Sequence, residues 1–439
     1  MQAQTLKGFR DFLPCDMAPR QAMVRRIELV FETHGFSPLQ TPALEYLETL
    51  TGKYGDEGDK LLYRFTDHGD RQVALRYDLT VPLARVVAQH RAQLQLPFRR
   101  YQVAPVWRAD KPQRGRYREF VQCDADICGA DSALADAEVL VAGLSVLRSL
   151  GVQDAQLHLN HRDILFGILR LCNVTHHPAQ IACIRAIDKL DKLPPAAVVE
   201  EIVQQADLPA DQAQAVVAAF AAAWPLSHWQ QQALDAADLP MQAAIERVQA
   251  VIDLVTAAGL DRWLAFDCSI ARGLDYYTGI IYETRLTDPK VASMGAVMSG
   301  GRYDGLIGLF SKEKIPAVGI SVGLDRLFAA LYELGLVRTD AAQVPIYATV
   351  LQPELAGAVL ILVQGLRDHG WRAEIDTLGG KVGKQFERAA KRGARLALVL
   401  GPDEHAAGTV VVKDLRQSTQ QSVAQSQLAA VVAAILRPQ

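Results

Sequence analysis

Between positions 99 and 119 the chain sets seven basic residues (Arg99, Arg100, Arg108, Lys111, Arg114, Arg116 and Arg118) against two acidic ones, Asp110 and Glu119. The 439-residue chain as a whole carries a net charge of −3. The surrounding stretch, FRRYQVAPVWRADKPQRGRYREFVQCDADICG, reads as two β-strands joined by an arginine-rich loop. Such a loop directs cations at a polyanion, a nucleoside triphosphate or the end of a nucleic acid. In the second strand Arg118, Phe120, Gln122, Asp124 and Asp126 share one face, and Glu119, Val121, Cys123, Ala125 and Ile127 the other. The latter face suits a core. The former aligns an amide and two carboxylates beside the cationic loop, either as a ligand site or as the solvated side of a half-exposed strand.

Other stretches carry chemistry of the same kind. LRYDLT brings Asp78 and Thr80 onto one strand face, a carboxylate with a neutral acceptor as an ammonium requires, or else caps a following helix. In FDCSIARGLDYYTGIIYE, Arg272 offers five donors in one plane, and Tyr276 and Tyr277 offer flat walls with hydroxyl tips. A turn with an exposed arginine and two core tyrosines is the plainer reading. MSGGRYDGLIGLF has glycines suited to close approach and contains Tyr303, and AVGISVGLDRLF reads as a strand running into a helix that carries Arg326. TLGGKVGKQF is not a phosphate-binding P-loop: Gln385 stands where Ser or Thr is needed, and Leu378 where Gly is needed. Lys381, Lys384, Arg388, Lys391, Arg392 and Arg395 stand against Glu387 alone, most of them along one helix face.

At these residues a resemblance becomes specific. The segment 98–129 resembles motif 2 of the class II aminoacyl-tRNA synthetases, and RGRYREFVQCD resembles its wording in the histidyl-tRNA synthetase family. ARGLDYY resembles that family's histidine-specific motif, AVGISVGLDRLF its motif 3, and the first helix with the Pro38- and Pro42-containing segment its motif 1. The resemblance implies a histidine–tRNA ligase that uses ATP with Mg2+ to make histidyl-adenylate and charges tRNA(His). It places Arg108 and Arg272 at the reacting carboxylate and α-phosphate, with Arg116 and Arg326 on the pyrophosphate end and Asp110 at the adenine. Asp78, Thr80, Gln122 and Asp126 would hold the amino group and imidazole of L-histidine, Asp126 reading the ring N–H, with Tyr276, Tyr277 and Tyr303 enclosing them. Lys381, Lys384 and Arg388 would contact tRNA. No dedicated metal site is expected, and motif 1 implies a homodimer. Two departures shorten side chains: LRYDLT replaces the LRPEGT form, and Arg108-Ala109-Asp110 replaces Arg-x-Glu. The alternative is the family's non-catalytic paralogue, the histidine-binding regulatory subunit of ATP phosphoribosyltransferase. It typically lacks the C-terminal domain and degrades the ATP-handling arginines. A generic RNA-binding protein would explain the basic patches but not ARGLDYYTG.

The elements that must position these residues follow from pattern. The fold expected is α+β, a class II synthetase-like antiparallel sheet flanked by helices over residues 1–335, with a helical insertion at about 170–260. A C-terminal α/β domain with a mostly parallel sheet, the anticodon-binding domain, spans 344–439. Pro14 is read as a stop, with a helix from Ala18 to Thr33 and a proline-bearing edge strand behind it. A strand leading into a turn is expected at VQDAQLHLNHRDIL. The region 170–260 has five basic and ten acidic residues and is punctuated by Lys192-Leu193-Pro194-Pro195, so its acidity argues against a broad phosphate-binding surface. His176 and His177 read as surface residues. Six scattered cysteines without a CxxC pair fit a reducing compartment, Cys123 and Cys128 being packing residues. The opening lacks a signal-peptide layout and the longest apolar run, Ala215 to Trp224, is too short to span a bilayer, so a cytoplasmic protein with no membrane partner is expected.

Overall fold

The computed structural model describes residues 2–113, 115–271, 276–337 and 344–436. It divides into two compact units, one formed by residues 1–11 and 21–337, the other by 12–20 and 338–439. The first is built on an eight-stranded sheet of β1 (Ser37–Pro38), β5 (Phe98–Trp107), β6 (Glu119–Cys128), β11 (Ala317–Gly323), β10 (Met298–Arg302), β9 (Ile280–Leu286), β7 (Ala155–His161) and β8 (Leu264–Phe266), in that order. The pairs β1–β5 and β7–β8 at the two edges are parallel and all the others antiparallel. Pro38 lies on the edge strand, where a missing N–H costs no ladder bond. A separate three-stranded sheet consists of β2 (Leu44–Tyr46), β4 (Gln72–Leu75) and β3 (Arg64–Thr66), and the turn at His68-Gly69-Asp70 joins its last two strands.

The alternation in β6 decides which side of the large sheet does what. Cys123, Ala125 and Ile127 enter a continuous apolar core with Ile27 and Phe31 and with Leu140, Leu144 and Leu147 of the helix Ala133–Ser149. Cys128 packs on the opposite side, among Tyr303 and Ala317. Gln122, Asp124 and Asp126 also face that side, and all three are buried. A half-exposed strand would leave them wet, so the polar face is enclosed within the fold rather than solvated.

Several expectations need correction. Pro14 opens the first helix, Pro14–Thr33, because proline is tolerated in the first turn, where its missing N–H would find no helical partner. β4 ends at Leu75, so Asp78 and Thr80 do not share a strand face. Asp78 lies in a connection and Thr80 begins the helix Thr80–Gln89. No turn follows β7: His161 Nδ1 accepts the Asp163 N–H at 3.1 Å and caps the helix Arg162–Leu171 directly. The region after it folds as helices His177–Ile187, Pro195–Ala206, Ala210–Ala221, Leu226–Asp235 and Leu239–Ala257. His176 and His177 are exposed.

The second unit contains β12 (Ile346–Ala348), β13 (Ala373–Ile375), β14 (Leu396–Val399), β15 (Thr409–Asp414) and β16 (Thr419–Ala424), in the order β13-β12-β14-β15-β16. Its first three strands are parallel and its last two close as an antiparallel hairpin, so the sheet is partly rather than mostly parallel. Gln385 is fully buried, and its amide bonds the N–H and carbonyl of Val350 and the Gly380 carbonyl, each at 2.8–2.9 Å. It stitches the loop before its helix to β12, a role with no need of phosphate.

The large sheet closes through glycines. A Cβ at Gly319 of β11 would sit 1.7 Å from Asp126 Oδ1, and one at Gly300 of β10 would sit 2.1 Å from the Gly319 carbonyl oxygen. Gly319→Ala is therefore expected to lower stability by about 1–3 kcal/mol in urea denaturation. Gly305→Ala, where a Cβ meets nothing within 4 Å, should leave it nearly unchanged.

Candidate active site

The polar side of the sheet carries two adjoining cavities that share Arg108, Gln122, Ser299, Ser321 and Arg326, and so form one cleft. One end is acidic. Asp78 is buried, and accepts the Tyr54 hydroxyl at 3.1 Å, the Tyr276 hydroxyl at 3.0 Å and the Val81 N–H at 3.1 Å. The helix-capping reading of LRYDLT holds, since the carboxylate accepts the Val81 N–H at the helix start; Asp78 and Thr80 also both line the cleft. Burial raises its proton affinity, and the Val81 N–H and Arg108 oppose the rise. Tyr276 and Tyr277 line this end, their ring centroids 5.1 Å apart.

Behind it the carboxylates of β6 are held by charge. Asp126 meets Arg100 at 2.7 Å and accepts the Tyr303 hydroxyl at 2.6 Å. It is thus enclosed under the cleft and is not among the residues that line it. Burial raises the proton affinity of both Asp126 and Asp124; Arg100 opposes both, and Asp126 adds to the rise at Asp124. Gln122 donates to Ser321 Oγ at 2.7 Å, while its Oε1 is buried without a partner among the described residues. A buried acceptor left over beside a cleft is the mark of a missing donor.

The other end is basic. The Arg108 guanidinium lies over the rings of Tyr77 and Phe120, 4.2 and 5.1 Å from their centroids, and its Nε donates to the Tyr77 carbonyl at 3.0 Å. Arg116 pairs with Asp110 at 2.9 Å, and both line the cleft. Arg326 sits in the first turn of the helix Leu324–Glu333 and donates to the Ala296 carbonyl. Its neighbour Asp325 accepts the Val121 N–H at 2.8 Å and binds Arg10, which fixes that helix start against β6.

The structure thus gathers Asp78, Thr80, Arg108, Asp110, Arg116, Gln122, Tyr276, Tyr277 and Arg326 around one cleft and sets Asp126 and Tyr303 under it. Arg272 and Arg114 lie outside the described residues. The basic stretch needs correction. Arg99 pairs with Glu138 at 2.6 Å, Arg100 is fully buried opposite Asp126, and Arg118 donates to the Asp110 and Lys7 carbonyls. These three brace the strands rather than point at a ligand. Sequence reading missed Arg100, Tyr54, Glu283, Ser299, Ser321, Asp188 and Lys192. Arg100 was accessible through β5 alternation and its register with β6; the others are brought in by distant segments without a local signal. In the second unit Lys381 and Lys384 are exposed, whereas Arg388 donates to Asp376 at 2.7 Å and to the Gly379 carbonyl at 2.6 Å.

The acidic cluster has a consequence for stability. Asp124 holds its proton to higher pH folded than unfolded, so its contribution is present at about pH 4 and falls as pH rises towards neutrality. Melting temperatures across that window should fall more for the native chain than for Asp124→Asn, which carries no such proton.

Comparison with known proteins identifies the family. A family model described as histidyl-tRNA synthetase matches residues 8–327, and one described as an anticodon-binding domain matches 344–435. A histidine–tRNA ligase of Rhodopirellula baltica is 41% identical over 437 residues, covering 97% of this chain and 96% of its own. One of Treponema denticola is 39% identical over 92% of this chain and 90% of its own. The crystal structure of histidyl-tRNA synthetase from Nostoc sp. PCC 7120 superposes with a TM-score of 0.85 at 31% identity, covering 99% of this chain and all of that one. The chain belongs to the histidyl-tRNA synthetase family of class II aminoacyl-tRNA synthetases and carries that family's C-terminal anticodon-binding domain.

Proposed function

We propose that the cleft performs both steps of a histidine–tRNA ligase. The polarity of the cleft carries this reading. One end is lined and underlain by buried carboxylates that a single buried arginine does not balance, and the other is lined by fixed arginines. A zwitterionic amino acid with a basic side chain fits across it, its carboxylate directed to the arginines where the triphosphate binds.

In the first step a carboxylate oxygen of histidine attacks the α-phosphorus of ATP, the bond to the bridging oxygen breaks, and pyrophosphate leaves with that electron pair. Arg108, held against the rings of Tyr77 and Phe120, neutralises charge on the carboxylate and α-phosphoryl oxygens, and Arg272 is assigned the same task by the family motif. Arg116 and Arg326 take the pyrophosphate. Preset cations at the point where charge develops need no reorganisation during reaction. Asp110 orients Arg116 and borders the adenine. In the second step the 3′-terminal ribose hydroxyl of tRNA(His) attacks the carbonyl of histidyl-adenylate, and AMP leaves.

Asp78 and Thr80 bind the amino group, and Gln122 Oε1 accepts from it or from the ring. Asp126 acts on the imidazole N–H through the Tyr303 hydroxyl or after that hydroxyl turns aside. Tyr276 and Tyr277 form the walls. Mg2+ would enter with ATP, carried on its phosphates, and would supply further positive charge to the reacting phosphoryl group. Lys381 and Lys384 contact the RNA backbone, and Arg388 supports the loop that presents them. The active form is a homodimer through motif 1, working in the cytoplasm; no helix among the described residues is long and apolar enough to cross a membrane.

ATP–pyrophosphate exchange tests the reading. Exchange is expected with histidine and, at about 10⁴-fold lower efficiency or less, with amino acids lacking the ring N–H. Arg108→Ala should lower the exchange rate about 10²- to 10³-fold while the chain stays folded. Histidine binding without exchange would overturn ligase activity in favour of the regulatory paralogue.

A further inference from the structure

The helical block after residue 170 reaches the catalytic cleft at one place. Asp188 and Lys192, in the connection between the helices His177–Ile187 and Pro195–Ala206, line the basic cavity together with Arg108, Arg116 and Arg326. The connection is not loose. Lys192 N and Leu193 N both bond the Lys189 carbonyl, at 2.9 and 2.8 Å, and the Lys189 ammonium is bonded to Glu201. It is also moored to the large sheet. Arg285 of β9 binds Asp191 of the connection at 3.2 Å and Glu283 at 2.6 Å. Glu283 is two residues away on the same strand face and lines the amino-acid end of the cleft. An ion-pair chain thus runs from the amino-acid pocket through Arg285 to Asp191, whose carboxylate lies 4.0 Å from the Lys192 ammonium.

The acids that line this cavity are all engaged: Asp110 pairs with Arg116, Asp325 binds Arg10, and Asp188 has a partner of its own. The ammonium of Lys192 therefore adds positive charge to a cavity already arranged for anions. We propose, on the basis of the ligase reading, that Lys192 is a phosphate-binding residue of the nucleotide site. It touches the polyphosphate of ATP or the departing pyrophosphate, and Asp191 and Arg285 position it. The acidic helical block thereby contributes one cation where its overall charge would repel the substrate.

The test uses the full chain in ATP–pyrophosphate exchange, followed by aminoacylation of tRNA(His). Lys192 is 63% exposed, so truncation is compatible with folding, which circular dichroism checks. Lys192→Ala should raise the KM for ATP and for pyrophosphate about five- to tenfold, leaving the KM for histidine and inhibition by AMP unchanged. Lys192→Arg should restore most of the loss. Asp191→Ala, which keeps the lysine but cuts its mooring, should show a smaller shift of the same kind. Unchanged KM values for ATP and pyrophosphate in Lys192→Ala would overturn the proposal. So would a loss confined to the KM for tRNA, which would assign the lysine to RNA. Failure of the native chain to exchange with histidine would remove the ligase reading itself, and this proposal with it.

Discussion

A fully buried guanidinium, that of Arg100, sits beneath the cleft in contact with Asp126 and close to Asp124. Removing such charges from water costs several kcal/mol each, and only close pairing makes the arrangement tolerable. The pairing is written into the sheet: Arg100 stands opposite Asp126 and Gln102 opposite Asp124 in the β5–β6 register. A one-residue slip of either strand would turn its two polar residues into the apolar core on the other side. On the far flank Gly319 stands opposite Asp126, with no side chain to displace its carboxylate. The ion pair thus fixes strand register, and strand register fixes the floor of the site.

From that floor the two ends of the cleft diverge in how they are made rigid. The acidic end is braced by hydroxyls, those of Tyr54 and Tyr276 on Asp78 and of Tyr303 on Asp126. Hydroxyls can rotate or yield to a ligand's donors. The basic end is braced by ring faces, carbonyls and carboxylates that leave guanidinium edges aimed into the cavity. Chemistry that consists of bringing two anions together gains most from cations already in place. Under the proposed reading, the adjustable end is where the amino acid is recognised, and the fixed end is where bonds change.

Much of this was readable from residue order. The β6 alternation, the edge position of Pro38, the glycines at close approach and the strand-to-helix step before Arg326 all follow from local pattern. What failed was of two kinds. Local rules with two outcomes were decided by neighbours: Pro14 begins a helix rather than ending a segment, and Asp78 is both cap and site residue. Counting charge along the chain also overstated the cationic loop, because Arg99, Arg100 and Arg118 are turned to Glu138, Asp126 and backbone carbonyls. Only pairing across strands separates a bracing arginine from one offered to a ligand. Tyr54, Glu283 and Lys192 arrive from segments far apart in sequence, and no spacing rule places them together.

The double engagement of Asp78 reaches beyond the pocket. One carboxylate serves the N-terminus of the helix Thr80–Gln89, whose Val81, Leu83, Ala84 and Val87 are buried in a local core, and it also presents acceptors to the cleft. Replacement by a neutral side chain would weaken the helix start and, under the proposed reading, an ammonium site together. Selection acting on either would therefore preserve the other. Asp and Glu differ here in reach, and a longer acid must trade the cap against the pocket.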